Sequence, residues 1–440
     1  MIDDMTKTGC KVGFFGIGCS NIALLCHLPL DNCRITLRSD RTVDRTILPV
    51  GVRVEKIYEG ENALKEIDED ILFLSPSVRR DRTEFVDASA RGVILSSDAE
   101  MFFSKNKKDI FAVSGSDGKS TTATLINMLL NAGGVRSRLI GNIGEPMINH
   151  LGSDADCFVC ELSSFMLSYS CPIAERGCIT SISPNHLDWH KDFEEYKKTK
   201  IKLLKNSKKA VVSDDIDYQG EVYGIVSDRL EYAELKERFK AEVYITVKGG
   251  AIYRNQEKLI GLEQIRAKER HNIKNLMMAI AMTDRIAHKD AICSVARSFV
   301  GLPHRCERFL LRDGIEYIDS SIDSTPERTV QTLRSLDREV VLILGGRSKG
   351  LNYRELRPVI EKYAKRVLIT GENAEEIYDA IFDVTRAEIL PDLELVARRG
   401  AFLAKEVGTL LLSPASTSYD AYRNFAERGE KFKEIIRKLS

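Results

Sequence analysis

Three times along this chain an apolar run of strand character feeds straight into a glycine-rich turn: KVGFFGIGCSN from Lys11, IFAVSGSDGKSTT from Ile110 and VVLILGGRSKG from Val340. Between them, short apolar runs such as ILFLSP, CFVCELSSF, CITSISP and RVLITG alternate with helical patterns. A strand that must be followed by a helix before the next strand can pair only in parallel, with helices covering the sheet faces. The chain is therefore read as α/β. In such sheets ligands sit beyond the carboxyl ends of strands, so candidate site residues are sought directly after these runs.

At roughly 100–200 residues per domain, 440 residues hold several domains. Two polar breaks suggest where: SKNKKD (Ser104 to Asp109) and GLPHR (Gly301 to Arg305). They divide the chain into 1–106, 107–302 and 303–440. A composition of 43% hydrophobic and 30% charged residues supplies packed cores and excludes a disordered chain. Lysine and arginine total 65, balanced by 65 acidic residues, which argues against nucleic acid or a membrane as the main partner. No apolar run reaches the roughly 18 residues that span a bilayer. The opening MIDDMTKTG has no signal-peptide pattern, so a cytoplasmic protein with reduced thiols is expected. Cys157 and Cys160 form a lone C-x-x-C within an apolar run, with no second pair at zinc spacing. They read as two small buried strand residues.

Gly115-Ser116-Asp117-Gly118-Lys119-Ser120-Thr121 lies between an apolar strand and an amphipathic run. That is the context of a nucleotide phosphate loop. Glycines let backbone N–H groups turn around phosphate oxygens, and the following helix points its N-terminus at the anion. Lys119 can reach the β/γ-phosphates of ATP, and Ser120 or Thr121 can bind Mg²⁺. One departure from the usual pattern is that its first glycine falls at Val113. Three further residues follow strands or lie downstream: Glu161, His186 and Lys200. Each has a plain reading of its own, as a capping carboxylate, a paired histidine and a surface lysine. His186 and His190 also stand at i, i+4, the spacing of a zinc pair.

In order along the chain, GSDGKST, ELSSF, NHLDWH, EYKKTK, HNIKN, GLPHR, GGRSK and SPASTSYDAY with NFAERGEKF resemble the Mur ligases of bacterial cell-wall synthesis, over essentially the whole chain. The ending most resembles the members that add D-glutamate to UDP-N-acetylmuramoyl-L-alanine. The resemblance implies three domains: a Rossmann-like N-terminal domain for the uridine nucleotide, a central P-loop ATPase-type domain with a parallel sheet, and a Rossmann-like C-terminal domain for the amino acid. It implies a cytoplasmic monomer of peptidoglycan precursor synthesis, using ATP with Mg²⁺ or Mn²⁺ and passing through an acyl phosphate. Lys119, His186 and Lys200 would be catalytic. Ser120, Glu161, His186 and Lys200, the last as a carbamate, would hold metal. Gly115 to Thr121, Asn272, Asn275, Arg305 and Asp319 would hold ATP. Gly16, Gly18, Ser20, Asn21, Ser75, Asn142 and Ser163 would line the UDP-substrate site, and Lys349, Ser418 and Phe425 would surround D-glutamate.

The first glycine turn, Gly16 to Asn21, has Asn21 in place of the third glycine of a dinucleotide fingerprint. Redox use of a dinucleotide is not expected. Asp319-Ser320-Ser321-Ile322 departs from the D-S-K-A of the family, and Ser75-Pro76-Ser77 from its S-P-G. Two other readings stand beside this one. One is a sister ligase, with another amino acid or a folate-like carboxylate. The other is a P-loop ATPase used as a conformational switch.

Overall fold

A computed structural model describes residues 9–439 except 144, 188 and 348–350. It forms two compact units, Met1–Phe299 and Val300–Ser440. Three sheets carry the fold. The first unit holds two of them. One contains β1 (Lys11–Phe15), β2 (Arg34–Ser39), β3 (Val54–Glu59), β4 (Ile71–Leu74) and β5 (Ile94–Ser96). All are parallel, in the order β3-β2-β1-β4-β5. That order reverses direction beside β1, the strand that feeds the first glycine turn.

The second sheet contains β6 (Asp109–Ser114), β7 (Ser137–Gly141), β8 (Cys157–Glu161), β9 (Ala174–Ile179), β10 (Ser207–Ser213), β11 (Gly224–Ser227), β12 (Val243–Lys248), β13 (Ala251–Arg254) and β14 (Glu257–Gly261). Its order is β14-β13-β12-β11-β10-β9-β6-β8-β7. Only the β12-β13-β14 edge is antiparallel. Every residue of β6 after Asp109 is buried, as expected of a parallel strand covered on both faces. One cover is the helix Lys119–Ala132, which packs on the helix Arg270–Met282. Cys157 and Cys160 lie buried in β8. Burial pushes the Cys157 thiol up to about 12 and raises Cys160 further, so both are inert packing residues.

The second unit is built on β15 (Glu307–Arg312), β16 (Ile315–Asp319), β17 (Val340–Leu344), β18 (Ala364–Ile369), β19 (Ala387–Ile389) and β20 (Thr409–Leu412). Their order is β15-β16-β20-β17-β18-β19, parallel except for β15 against β16. Among the described residues no helix is long and apolar enough to cross a membrane.

Candidate active site

Three adjacent strands of the central sheet end at one level, because Val113 of β6 pairs with Glu161 of β8 and with Cys178 of β9. Their carboxyl ends deliver the phosphate loop, Glu161 and the run after Ile179 to one place. Val113 is an interior strand residue, fully buried, so the turn begins two residues later. Gly115 has φ 146° and Gly118 φ 78°. A Cβ on Gly115 would lie 2.0 Å from Thr180 Oγ1, and one on Gly118 2.4 Å from Asn275 Oδ1. Glycine is required at both for space as well as for φ.

The loop is braced from beneath. Ser116 N–H donates to Ser181 O at 2.8 Å, and Asp117 N–H to Ser181 Oγ at 2.9 Å. Thr180 Oγ1 donates to Asp117 O. Ser116 Oγ donates its one hydrogen to Ser183 O at 2.9 Å, so Tyr196 OH, 2.8 Å away, is a donor to it. Thr122 Oγ1 donates to Asn275 Oδ1 at 3.3 Å. Lys119 Nζ folds back to Ser116 O at 2.6 Å. Ser120 and Thr121 are buried in the first turn of the helix. Asn272, one turn before Asn275, donates to Glu269 Oε2 at 3.1 Å.

Lys200 is 1% exposed, not the surface residue its local sequence suggests. The helix Phe193–Lys205 carries it in under the loop. Nζ donates to Gly115 O at 2.7 Å and to Ser114 Oγ at 3.4 Å, both neutral oxygens. Burial depresses its pKa far below the usual lysine value, and Lys119 adds to this; Glu161 and Asp117 oppose it. A lysine held in this way gives up its proton more readily than an exposed one.

Glu161 is fully buried. Its Oε1 accepts from Asn142 Nδ2 at 2.8 Å, while Oε2 has no hydrogen-bond partner. A buried carboxylate oxygen left over in this way, beside a phosphate loop, fits a hard divalent cation. His186 has φ 55° and its ring lies tilted against that of Phe165, with centroids 4.9 Å apart. His190 is buried in the same aromatic group, 4.7 Å from Trp189 and 5.2 Å from Tyr196. Among the described residues His186 and His190 join no cluster of three metal-ligating side chains.

At the end of β1, Gly16 has φ 79° and Ser75 Oγ donates to its carbonyl at 2.6 Å. Gly18 leads into the helix Cys19–His27, with Ser20 partly exposed in its first turn. Asn21 is fully buried, and its amide donates to Phe15 O at 3.0 Å and Gly16 O at 2.8 Å. It braces the turn from below rather than forming its surface. Ser163 caps the short helix Ser164–Tyr169 by accepting from Met166 N–H.

The remaining expected residues belong to the second unit. Asp319 is fully buried at the end of β16. It lies 2.7 Å from His304 Nδ1 and accepts from Ser321 N–H at 2.8 Å. His304, Glu307 and Asp319 could ligate a metal by their spacing. The Lys433 ammonium already stands among them, 2.6 Å from Glu307, 2.9 Å from Glu430 and 3.6 Å from Asp319. Ser418 is buried and Phe425 exposed at the start of the helix Phe425–Lys438. Arg305 is partly buried. Lys349 lies outside the described residues.

Sequence reasoning missed the bracing shell: Thr180, Ser181, Ser183 and Tyr196. Only Tyr196 left a signal, standing four residues before Lys200 on the same helical face. It also missed Arg428, which is 3% exposed and donates to Ser321 O and Ser416 O at 2.9 Å each. Burial lowers its pKa to about 10.

Residues 113–283 match the Mur ligase middle domain. A UDP-N-acetylmuramoylalanine–D-glutamate ligase from Clostridium tetani is 32% identical over 446 residues, covering 98% of this chain and 97% of that protein. The chain belongs to the Mur ligase family. The family's fold extends through the whole chain: a UDP-N-acetylmuramate-alanine ligase MurC from Thermotoga maritima superposes with a TM-score of 0.57 at 17% identity, over 97% of this chain and 99% of that one. A MurF ligase from the same organism, solved in complex with ADP, gives a TM-score of 0.50 at 15% identity, over 99% and 96%. The phosphate loop, Glu161, His186 and Lys200 all fall inside the residues matched to the Mur ligase middle domain.

Proposed function

We propose that this ligase joins D-glutamate to UDP-N-acetylmuramoyl-L-alanine at the expense of ATP, in the cytoplasm and as a monomer, during peptidoglycan precursor synthesis. One observation carries the chemistry: a buried lysine amine beneath a phosphate loop, next to a carboxylate with an unused oxygen. The full-length similarity to the D-glutamate ligase of Clostridium tetani supports the choice of amino acid. Three domains, 1–106, 107–302 and 303–440, divide the labour, each built on one of the three sheets.

The L-alanyl carboxylate is a poor electrophile. One of its oxygens attacks the γ-phosphorus of ATP, the bond to the β,γ-bridging oxygen breaks, and ADP leaves. The product is an acyl phosphate. The neutral amine of D-glutamate then attacks the carbonyl carbon. The tetrahedral intermediate collapses with loss of phosphate, which takes the bonding pair, and the amine nitrogen loses a proton.

The loop from Gly115 to Thr121 holds the phosphates, with Lys119 swinging from Ser116 O to the transferred group and offsetting its charge. Asn272 and Asn275 are assigned to the nucleoside, and Arg305 and Asp319 to ATP, by resemblance to the family. Ser120, Glu161, His186 and Lys200 would hold Mg²⁺ or Mn²⁺, which screens the two anions brought together. Lys200 contributes as a carbamate: its unprotonated amine adds to CO₂, the nitrogen loses one proton, and a neutral buried amine becomes an anionic ligand. Gly16, Gly18, Ser20 and Ser75 form the turn for the uridine diphosphate, with Asn21 bracing it. Asn142 and Ser163 are assigned to the muramoyl end, and Lys349, Ser418 and Phe425 to the D-glutamate, by resemblance to the family.

The test is phosphate release from ATP with UDP-N-acetylmuramoyl-L-alanine and a panel of amino acids, the product being weighed by mass spectrometry. Release that requires D-glutamate, with one glutamyl unit gained, is the expected result. Dependence on another amino acid would keep the ligase and discard the glutamate pocket. Hydrolysis indifferent to any amine would favour a switch ATPase.

A further inference from the structure

Three neighbouring strands of the second unit, β20, β17 and β18, each end in a short loop, and one side chain ties the three loops together. Asn373 follows β18 and is 3% exposed. Its Oδ1 accepts from Gly346 N–H at 2.9 Å, while its own N–H donates to Gly346 O at 3.1 Å. Both polar groups of Gly346 are thus held by one residue. The amide of Asn373 donates its two hydrogens to Tyr353 OH at 2.6 Å and Ser416 Oγ at 2.8 Å. Tyr353 OH and Ser416 Oγ are themselves 3.1 Å apart. Its carbonyl accepts from Ile377 N–H in the next helix, so every hydrogen-bonding group of Asn373 is used.

Gly346 has no slack. Its φ is 149°, and a Cβ would fall 2.1 Å from Thr417 O. The next residue is laid against the β20 loop, Arg347 N–H donating to Thr417 O at 2.9 Å and Thr417 Oγ1 to Arg347 O at 3.2 Å. The spacing between the glycine loop and the Ser416–Ser418 loop is therefore set from below by Asn373.

We propose that Asn373, supported by Tyr353 and Ser416, is a positioning residue for the amino-acid site and sets its width. The inference rests on the reading that Ser418 and Phe425 receive the amino acid. It goes beyond that reading in naming what holds the two walls in register. None of the three supporting side chains needs to touch the ligand. Removing Asn373 leaves a buried Gly346 N–H without its partner, and the loop relaxes toward solvent to satisfy it.

The test uses the full chain and the variants Asn373→Ala, Asn373→Asp and Tyr353→Phe. Ile360→Ala and Ile381→Ala, core positions of the same unit, serve as stability-matched controls. Phosphate release is measured while the amino acid and ATP are varied in turn. Asn373→Ala is expected to raise the amino-acid KM by roughly tenfold or more, the size of one lost buried hydrogen bond, with the ATP KM within about twofold. Asn373→Asp keeps an acceptor for Gly346 N–H, and the two hydroxyls can turn to donate to it, so it recovers most of the loss. Tyr353→Phe gives a smaller rise, and the controls lower Tm without moving either KM. Equal rises in both KM values, or a fall in Tm alone, would overturn the proposal.

Amide hydrogen exchange over residues 345–347 and 416–418 separates this failure from failure of the functional reading. If wild-type turnover depends on a different amino acid, that amino acid should protect both segments in wild type and neither in Asn373→Ala. If no amino acid of the panel protects them, this part of the chain is not an amino-acid site and the proposal falls with it.

Discussion

Two buried lysines, one in each unit, are treated in opposite ways. Lys200 and Lys433 are 1% and 3% exposed. Around Lys433, burial alone would lower the pKa, but Glu307, Glu430 and Asp319 outweigh it and the value is raised. Around Lys200, hydrogen bonds go to neutral oxygens, and burial with the nearby Lys119 drives the value far down. Lys433 is held as a cation among three carboxylates. Lys200 donates to Gly115 O and Ser114 Oγ rather than to a carboxylate, and gives up its proton more readily. Burial is common to both; the partners decide whether a lysine holds structure together or is held ready to react.

The sharpest way to break this contrast is to remove each lysine. Lys200→Met should lower turnover by at least about a hundredfold, as expected when an essential charge is lost from a preorganised site. It should leave Tm unchanged or raised, because a poorly compensated polar group has been replaced by an apolar one. Lys433→Met should do the reverse, destabilising the chain by about 3–5 kcal/mol by leaving buried carboxylates uncompensated. Matched Tm losses in the two variants would end the comparison. Short-chain carboxylic acids should restore part of the activity of Lys200→Ala; no restoration would remove the main support for a carbamate.

Gly115→Ala tests whether the roof over Lys200 is as rigid as its contacts imply. A methyl group 2.0 Å from Thr180 Oγ1 must displace the loop, and ATP-dependent turnover should fall below roughly a hundredth of wild type. A variant with near-normal KM for ATP would show that the loop adapts. Tyr196→Phe is milder. It removes one donor to Ser116 Oγ, worth about 1 kcal/mol, and should cost roughly fivefold in kcat/KM. A wild-type value would mean that the tyrosine serves packing alone.

The smallest effect lies in the pH dependence of stability. The unfolded chain binds a proton on Lys200 up to its ordinary value of 10.5, whereas the folded chain releases it earlier. Stability should therefore rise with pH from the depressed folded pKa toward 10.5. Lys433 has its folded pKa raised above 10.5, so its contribution is complete below that value and is lost only as pH rises past the folded one. Urea unfolding of wild type and Lys200→Met between pH 7 and 10 should show a positive slope in wild type that the variant lacks. Identical slopes would mean that Lys200 is no more easily deprotonated than a surface lysine.

Much of this was legible in the residues. Apolar runs with glycine turns specify parallel strands, because period and turn chemistry are local properties of the chain. The GKST core specified a strand–turn–helix for the same reason: its glycines, lysine and hydroxyls are contiguous, and it lies as expected between β6 and the helix Lys119–Ala132. By contrast, nothing in EEYKKTK distinguishes the third lysine from its neighbours. Its burial follows from which face of the helix Phe193–Lys205 meets β6 and β9, and its lowered pKa from that burial, with Lys119 adding to it. Asn373 lies 27 residues from Gly346 and Asp319 lies 114 residues before Lys433, so their pairings depend on strand order in a sheet. Local chemistry is written in sequence because it acts between neighbours in the chain. Desolvation and charge pairing act between neighbours in space, and only the tertiary structure decides who those are.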